Sequence, residues 1–206
     1  MTLKLLDLFC CCGGAAKGFH DAGFDVTGVD ITDNHEYPYE FIQSDVFTLP
    51  LSFFQDFDVI HASPPCQFYS YATRKHDRYM QYPDLIGRTR TLLQDIGKSY
   101  VMENVIGAPL RKDLVLCGEM FGLRIIRHRI FEIEGFTALQ PRHEKHKPVN
   151  GKKSYYAQVA GHGGDSYSFK LEDWKNAMGI HHINKKEHLT QAIPPKYTEY
   201  IGNMIS

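Results

Sequence analysis

The sequence predicts an α/β fold, a mostly parallel sheet with flanking helices, carrying a small basic insertion. Three observations point there. Short apolar runs of strand length alternate with helical stretches or short connectors through the first half of the chain. Each run ends in or beside a residue with chemical use, and ligands of parallel sheets sit outside the carboxyl ends of the strands. No internal repeat or low-complexity tract breaks the pattern.

Taken in order, Leu3–Phe9 is an apolar run of strand length with Asp7 near its end. A glycine-bearing turn follows, and Ala15–Ala22 reads as a helix stopped by Gly23. Asp25–Ile31 is a second strand ending in an acid, Asp30, and Phe41–Val46 a third ending in Asp45. Phe57–Ala62 is a fourth, running into Ser63-Pro64-Pro65-Cys66. Leu85–Ile96 is helical, and Ser99–Val105 is a fifth strand with Glu103 near its tip. Ile125–Ile133 has the pattern of one or two further strands. From about Gly135 to Ser168 the texture turns basic and turn-rich, and helical stretches return at Leu171–Met178 and Tyr197–Ile205. The expected division is therefore a main domain of residues 1–135 and 171–206, with 136–170 inserted into it.

A chain of 206 residues is long enough for one domain with its own core. The net charge of −1 gives no global basic field, so any nucleic-acid surface must be local. The apolar start is too short for a signal peptide and no later run reaches a membrane span. Five cysteines, three of them adjacent as Cys10-Cys11-Cys12, make a poor disulfide framework, so a reducing, cytoplasmic setting is expected.

The turn from Asp7 to Gly14 lets backbone amides approach a ligand, because glycine has no side chain. An acid about twenty residues later suits ribose hydroxyls, and Asp30 stands there. The glycines do not follow GxGxxG, so a phosphate cradle is not supported, and a generic α/β turn explains the stretch equally well. In Pro64-Pro65-Cys66 the prolines hold the backbone extended and present Cys66 past a strand end. A lone cysteine is often an inert small hydrophobe. With Glu103 at the neighbouring tip and arginines nearby, thiolate character and a nucleophilic role are the stronger reading. Glu103 either pairs with Arg127 or Arg129 or is a carboxyl group able to hydrogen-bond a ring nitrogen. Arg127 and Arg129, two apart on an expected strand, would share one side and suit a phosphate or a polarised carbonyl. His143 and His146, with His162, His181 and His182, permit zinc by spacing, but no CxxC or HExxH accompanies them, so no metal is expected.

With these residues in place, the sequence resembles the cytosine-C5 methyltransferases that use S-adenosylmethionine. The first cofactor motif is matched by Asp7-Leu8-Phe9-Cys10 with Gly13-Gly14, the ribose acid by Asp30, and the adenine-reading acid by Asp45. Pro64-Pro65-Cys66-Gln67 resembles the nucleophile motif, Glu103-Asn104-Val105 the next catalytic one, and Arg127-His128-Arg129 the Arg-x-Arg. Ala192-Ile193-Pro194-Pro195, followed by Tyr197–Ile205, resembles the last motif, which folds back beside the first to close the cofactor pocket. The matches come in the family's order and cover most of the chain except about residues 135–170.

The resemblance implies a Rossmann-like class I methyltransferase that methylates C5 of cytosine in DNA, with the target base flipped from the duplex. Cys66 would be the nucleophile adding to C6, Glu103 would stabilise protonated N3, and Arg129 with Arg127 would hold the base carbonyl and flanking phosphate. S-adenosylmethionine would be held by Asp7, Phe9, Cys10, Cys11, Cys12, Gly13, Gly14, Asp30, Ile31, Asp45, Val46, Pro64, Leu85, Gln191 and Ala192. Gln67 and the segment Phe68–Tyr82, with Arg74, Lys75 and Arg78 among tyrosines, would close over nucleic acid as a mobile loop. An ordinary polar surface loop is the plainer alternative for that segment. Arg142, Lys145, Lys147, Lys152 and Lys153 make the insertion basic, which suits backbone contact and a short or relaxed recognition site. Trp174 and its neighbours read as structural support.

Departures from the family pattern fall at the cofactor end. Cys11 stands where glycine is usual, so either the turn there avoids positive φ or its shape differs, and Thr190-Gln191 replaces Gly-Asn. Alternative readings are a tRNA or free-nucleotide (dCMP) cytosine methyltransferase, or an inactive nucleic-acid-binding subunit. A monomer is expected, with a protein partner supplying sequence specificity, in a bacterial or phage-infected cytoplasm.

Overall fold

A computed structural model describes residues 2–75, 77–146, 155–157, 159 and 169–205. Lys147, Lys152, Lys153 and His162, with much of the expected insertion, lie outside the described residues. Strands β1 (Lys4–Leu8), β2 (Asp25–Asp30), β3 (Glu40–Gln43), β4 (Val59–Ala62) and β5 (Ser99–Asn104) pair in parallel in the order β3-β2-β1-β4-β5. Strand β7 (Arg129–Glu134) then runs antiparallel between β5 and the short β6 (Leu114–Leu116), completing a seven-stranded sheet. The fold is thus the expected α/β class, a mostly parallel sheet flanked by helices.

Side chains alternate across the sheet, so each strand feeds two cores. Leu5, Val26, Val59, Val101 and Phe131 join one face with Phe19 of α1 (Gly14–Asp21) and Tyr197 and Ile201 of α7 (Pro195–Gly202). Leu6, Val29, Ile60, Met102 and Ile130 join the other with Leu93 and Ile96 of α4 (Ile86–Ile96) and Phe54 of α2 (Leu51–Phe54). Trp174 of α5 (Leu171–Met178) and Leu189 of α6 (Lys186–Gln191) form a third cluster with Cys12, as suits a supporting role for the tryptophan. Helix α7 lies so close on α1 that a Cβ at Gly18 would stand 2.0 Å from the Pro195 carbonyl oxygen. Thr198 Oγ1 donates to the Ala15 carbonyl at 2.8 Å across the same contact. The C-terminal segment therefore folds back beside the first motif.

Several expected elements differ. The third strand stops at Gln43, and Asp45 instead caps a 3-10 turn (Val46–Thr48), its side chain accepting from Phe47 N. Short acids compete well for the amides of such a turn, while Val46 and Phe47 prolong an apolar pattern that reads as strand. The segment around residues 68–82 contains α3 (Tyr71–Lys75) and a 3-10 turn (Tyr79–Gln81), so it is more than a loop. Strand β7 begins only at Arg129, so Arg127 is not on a strand and the two-residue alternation does not relate the two arginines. Among the described residues no helix is long and apolar enough to cross a membrane.

Candidate active site

Parallel pairing brings the carboxyl ends of β1, β2, β4 and β5 to one edge, and the order reverses between β1 and β4, the chain running outward from β1 to β2 and β3 on one side and from β4 to β5 on the other. That is the switch point at which open α/β sheets open a crevice. A cavity of about 540 Å³ occupies it. The antiparallel run of β7 has a particular consequence: its first residue, not its last, reaches this edge. Arg129 thereby arrives beside the tip of β5, and its Nε lies 2.9 Å from Glu103 Oε1. The two are an ion pair whose approach is not aligned as a hydrogen bond.

Cys66 shares this wall, half-buried just beyond the Pro64-Pro65 pair. Its carbonyl accepts from Tyr69 N at 3.0 Å and Ser70 N at 2.9 Å, which fixes the turn that carries it. A side chain not assigned a role from sequence secures the other flank. Buried Asn104 donates its Nδ2 to the Pro64 carbonyl at 2.8 Å and accepts from Val105 N at 3.0 Å, riveting the Pro-Pro turn to β5. Only its adjacency to Glu103 could have signalled it. Burial pushes the Cys66 thiol above its ordinary value, the charges of Arg129 and Arg127 pull it down, and Glu103 adds to the rise. The balance is upward.

On the β2–β3 side, two acids are held by backbone amides. Asp30 accepts from Cys11 N at 3.0 Å through Oδ2 and from Thr32 N at 2.9 Å through Oδ1. Asp45 accepts from Phe47 N at 2.9 Å through Oδ1. Asp7 pairs with His61 Nδ1 at 2.6 Å, while its Oδ2 is buried with no partner among the described residues. Phe9, Cys10, Cys11, Cys12 and Gly14 line the same cavity, and so do Val46, Pro64, Leu85 and Ala192. Ile31, 67% exposed, leaves an apolar face open at its rim. Gly14 is needed for closeness: a Cβ there would lie 2.7 Å from the Ile193 carbonyl oxygen. Arg88, on the solvent face of α4 and invisible to motif reading, lines the wall with its guanidinium 3.9 Å from the Phe47 ring centre.

The turn carries strain. Phe9 and Cys11 have φ of 57° and 46°, a region that L side chains avoid. Cys11 thus occupies a glycine-type conformation rather than escaping it. Beside it, burial raises the Cys10 thiol, and the Cys11 hydrogen bond together with burial raises that of Cys12.

A family model for C-5 cytosine-specific DNA methylases matches residues 3–113, just over half of the 206. The chain belongs to that family. No match was found among curated proteins. Among solved structures, the S. pombe Dnmt2 methyltransferase superposes with a TM-score of 0.63 at 13% identity, over 98% of this chain and 97% of that one. A DNMT2 from Spodoptera frugiperda gives 0.62 at 16% identity, over 100% of both chains. These likenesses speak of fold. A protein described as a candidate DNA modification methyltransferase from an E. coli prophage is 26% identical, over 63% of this chain and 45% of its own length, with a TM-score of 0.47. This chain therefore spans less than half of that protein.

Other residues expected of a methylase of this family are placed differently. Arg127 is off the cavity wall and buried, donating from Nη1 to the Val159 carbonyl at 3.3 Å and from Nη2 to the Thr190 carbonyl at 2.6 Å. Burial and the Arg129 charge press its guanidinium below the usual range. It ties the C-terminal motif to the sheet instead of reaching a base or phosphate. Gln67, expected on nucleic acid, donates to Gln191 Oε1 at 3.2 Å, and both line the cavity. Gly13 is absent from the wall and serves the turn, with φ of 78° ahead of α1. Arg74 stands 5.4 to 6.0 Å from the rings of Tyr79, Tyr69 and Phe68, held by aromatic faces. Lys75, Arg78, Arg142 and Lys145 are exposed, and Arg142 is 3.5 Å from Glu144.

Proposed function

We propose that this chain transfers a methyl group from S-adenosylmethionine to C5 of cytosine in DNA through a covalent adduct of Cys66. The observation that carries the reading is one cavity bordered by Cys66, Glu103 and Arg129 on the β4–β5–β7 side and by Asp30 and Asp45 on the β2–β3 side. The residues present fit the cofactor. Asp30 keeps lone pairs for ribose hydroxyls, Asp45 Oδ2 for an adenine amine, and the orphaned Asp7 Oδ2 for the methionine ammonium. When bound, S-adenosylmethionine supplies an electrophilic methyl group.

Cytosine C5 is a poor nucleophile until a thiolate adds at C6, and Cys66 is the side chain to do so. As the sulfur attacks, the proton given up by the Cys66 thiol is balanced by one gained at N3, and the Glu103 carboxyl group hydrogen-bonds that N3–H and draws charge from the ring. Arg129 orients that carboxyl group and lowers the cost of ionising the cysteine. After methyl transfer the C5 proton passes to water, the C6–sulfur bond breaks and N3 gives back its proton, releasing Cys66 and the methylated base. Residues 136–170 serve as a reduced recognition region, and exposed Lys75, Arg78, Arg142 and Lys145 contact backbone phosphates. Flipping the base from a duplex costs a few kcal/mol, supplied by these contacts.

Labelled-methyl transfer to duplex DNA, RNA and dCMP, run in parallel, tests the reading. DNA is expected to be labelled, and a duplex containing 5-fluorocytosine to trap the protein covalently. Cys66→Ala should lose both signals while cofactor binding survives. Labelling of RNA or dCMP instead would reassign the substrate, and no label with no adduct would leave a binding subunit.

A further inference from the structure

A second cluster of chemically capable side chains lies away from the cavity, on the outer strands. Leu116 of β6 pairs with Arg129 of β7, so the residues one step beyond, Cys117 and His128, face each other across the end of the ladder. The chain after β7 then turns back along β6. Gln140 accepts from Val115 N at 2.9 Å and donates to the Val115 carbonyl at 2.8 Å, imitating a strand partner. This return delivers His143 and His146 to the same spot. One ligand atom from each of Cys117, His128, His143 and His146 lies within 4.8 Å of all the others.

The separations approach those of a coordination shell. Zinc bonds of about 2.0–2.3 Å place tetrahedral ligand atoms about 3.3–3.7 Å apart. His146 Nε2 is 3.4 Å from His128 Nε2 and 4.0 Å from Cys117 Sγ. The opposite nitrogen of His146 meets Glu119 Oε2 at 2.5 Å, and Tyr156 donates its hydroxyl to the other Glu119 oxygen. A carboxylate on Nδ1 holds that proton and turns the Nε2 lone pair inward, the arrangement that orients metal-bound histidines. The three imidazole rings approach one another edge to face, with centroids 4.7 to 5.2 Å apart, which gathers lone pairs around a common centre.

We propose that Cys117, His128, His143 and His146 bind one zinc ion, a closed structural site that clamps the segment after β7 onto the β6–β7 edge. Four protein ligands leave no open position, which separates it from a catalytic centre. One thiolate and three neutral imidazoles suit a borderline-soft divalent cation. The site would seat the start of the recognition region against the sheet and hold His128, the immediate neighbour of Arg129. A smaller group, Cys12, Glu36 and His188, carries no such proposal. Its carboxylate is already committed, to His188 Nδ1 at 2.5 Å and Asn184 N at 2.7 Å.

Metal analysis of the intact protein, purified without chelator from zinc-supplemented cells, tests this independently of methyl transfer. About one zinc per chain is expected. Cys117→Ser and His143→Ala should lose it, and His188→Ala should keep it. Because a ligand variant can simply misfold, the wild type gives a second readout. Replacement by cobalt should produce the strong visible bands of a tetrahedral ion and a thiolate charge-transfer band. Stripping the metal should lower the melting temperature, and zinc should restore it. Wild-type protein that neither contains zinc nor takes up zinc or cobalt on titration overturns the proposal. So does zinc that is lost in His188→Ala but retained in His143→Ala.

Discussion

The two sides of the cavity are built by opposite means. On the β2–β3 side Asp30 and Asp45 are fixed by amides of their own turn or the adjoining one, Asp30 by Cys11 N and Thr32 N and Asp45 by Phe47 N. On the β4–β5–β7 side Cys66, Glu103 and Arg129 meet only because three strands lie side by side, and Asn104 then locks the Pro-Pro turn to β5. Local turn geometry makes the first side, and sheet order makes the second. Under the proposed function, binding and chemistry should therefore be separable by mutation.

The sharpest break of that division is Glu103→Gln. Methyl transfer should fall about 10²–10⁴-fold, the usual worth of a positioned general acid. Cofactor affinity, measured by calorimetry, should stay within about twofold because the interaction belongs to the reacting base. A matching loss of affinity would dissolve the distinction between the two sides. A second test uses acidity. Because burial holds the Cys66 thiol above its ordinary value, the thiolate is scarce at neutral pH and grows as pH rises. Adduct formation with a 5-fluorocytosine duplex should climb by up to about tenfold per pH unit through the neutral range. A flat profile there would mean that Arg129 already holds the thiolate. The smallest effect belongs to the binding side. Cys11→Gly removes a left-handed cysteine at about 1–2 kcal/mol but adds glycine's entropy cost of about 0.5–1 kcal/mol. Denaturant unfolding should show a gain of under about 1 kcal/mol, and a loss would show that the thiol's packing outweighs its strain.

The same division explains what could be read in the sequence. Asp30, Cys66 and Glu103 follow apolar runs, and a strand end announces itself locally. Asp45 follows a similar run but caps a 3-10 turn, since capping and strand continuation share the same residue pattern there. The antiparallel course of β7 has no local signature, so the sequence does not show why Arg129 reaches Glu103, and it groups Arg127 with Arg129 only by spacing and by the likeness to Arg-x-Arg. Three-residue β6 is too short to show periodicity. Cys117 and His128 lack any sequence spacing typical of zinc, and they face His143 and His146 only after β6 and β7 pair.

The close seat of α7 on α1 bears on how the chain matures during synthesis. Residues 3–113 carry most of the recognisable motifs. On leaving the ribosome they still lack the strand that pairs with β5 and the helix that covers Ala15, Ala16 and Phe19. A half-made protein of this kind exposes an unpaired sheet edge and an apolar helix face together, the combination that invites aggregation or chaperone capture. The stretch that identifies the family should therefore fail to fold alone, and a fragment cut after Asp113 should be insoluble.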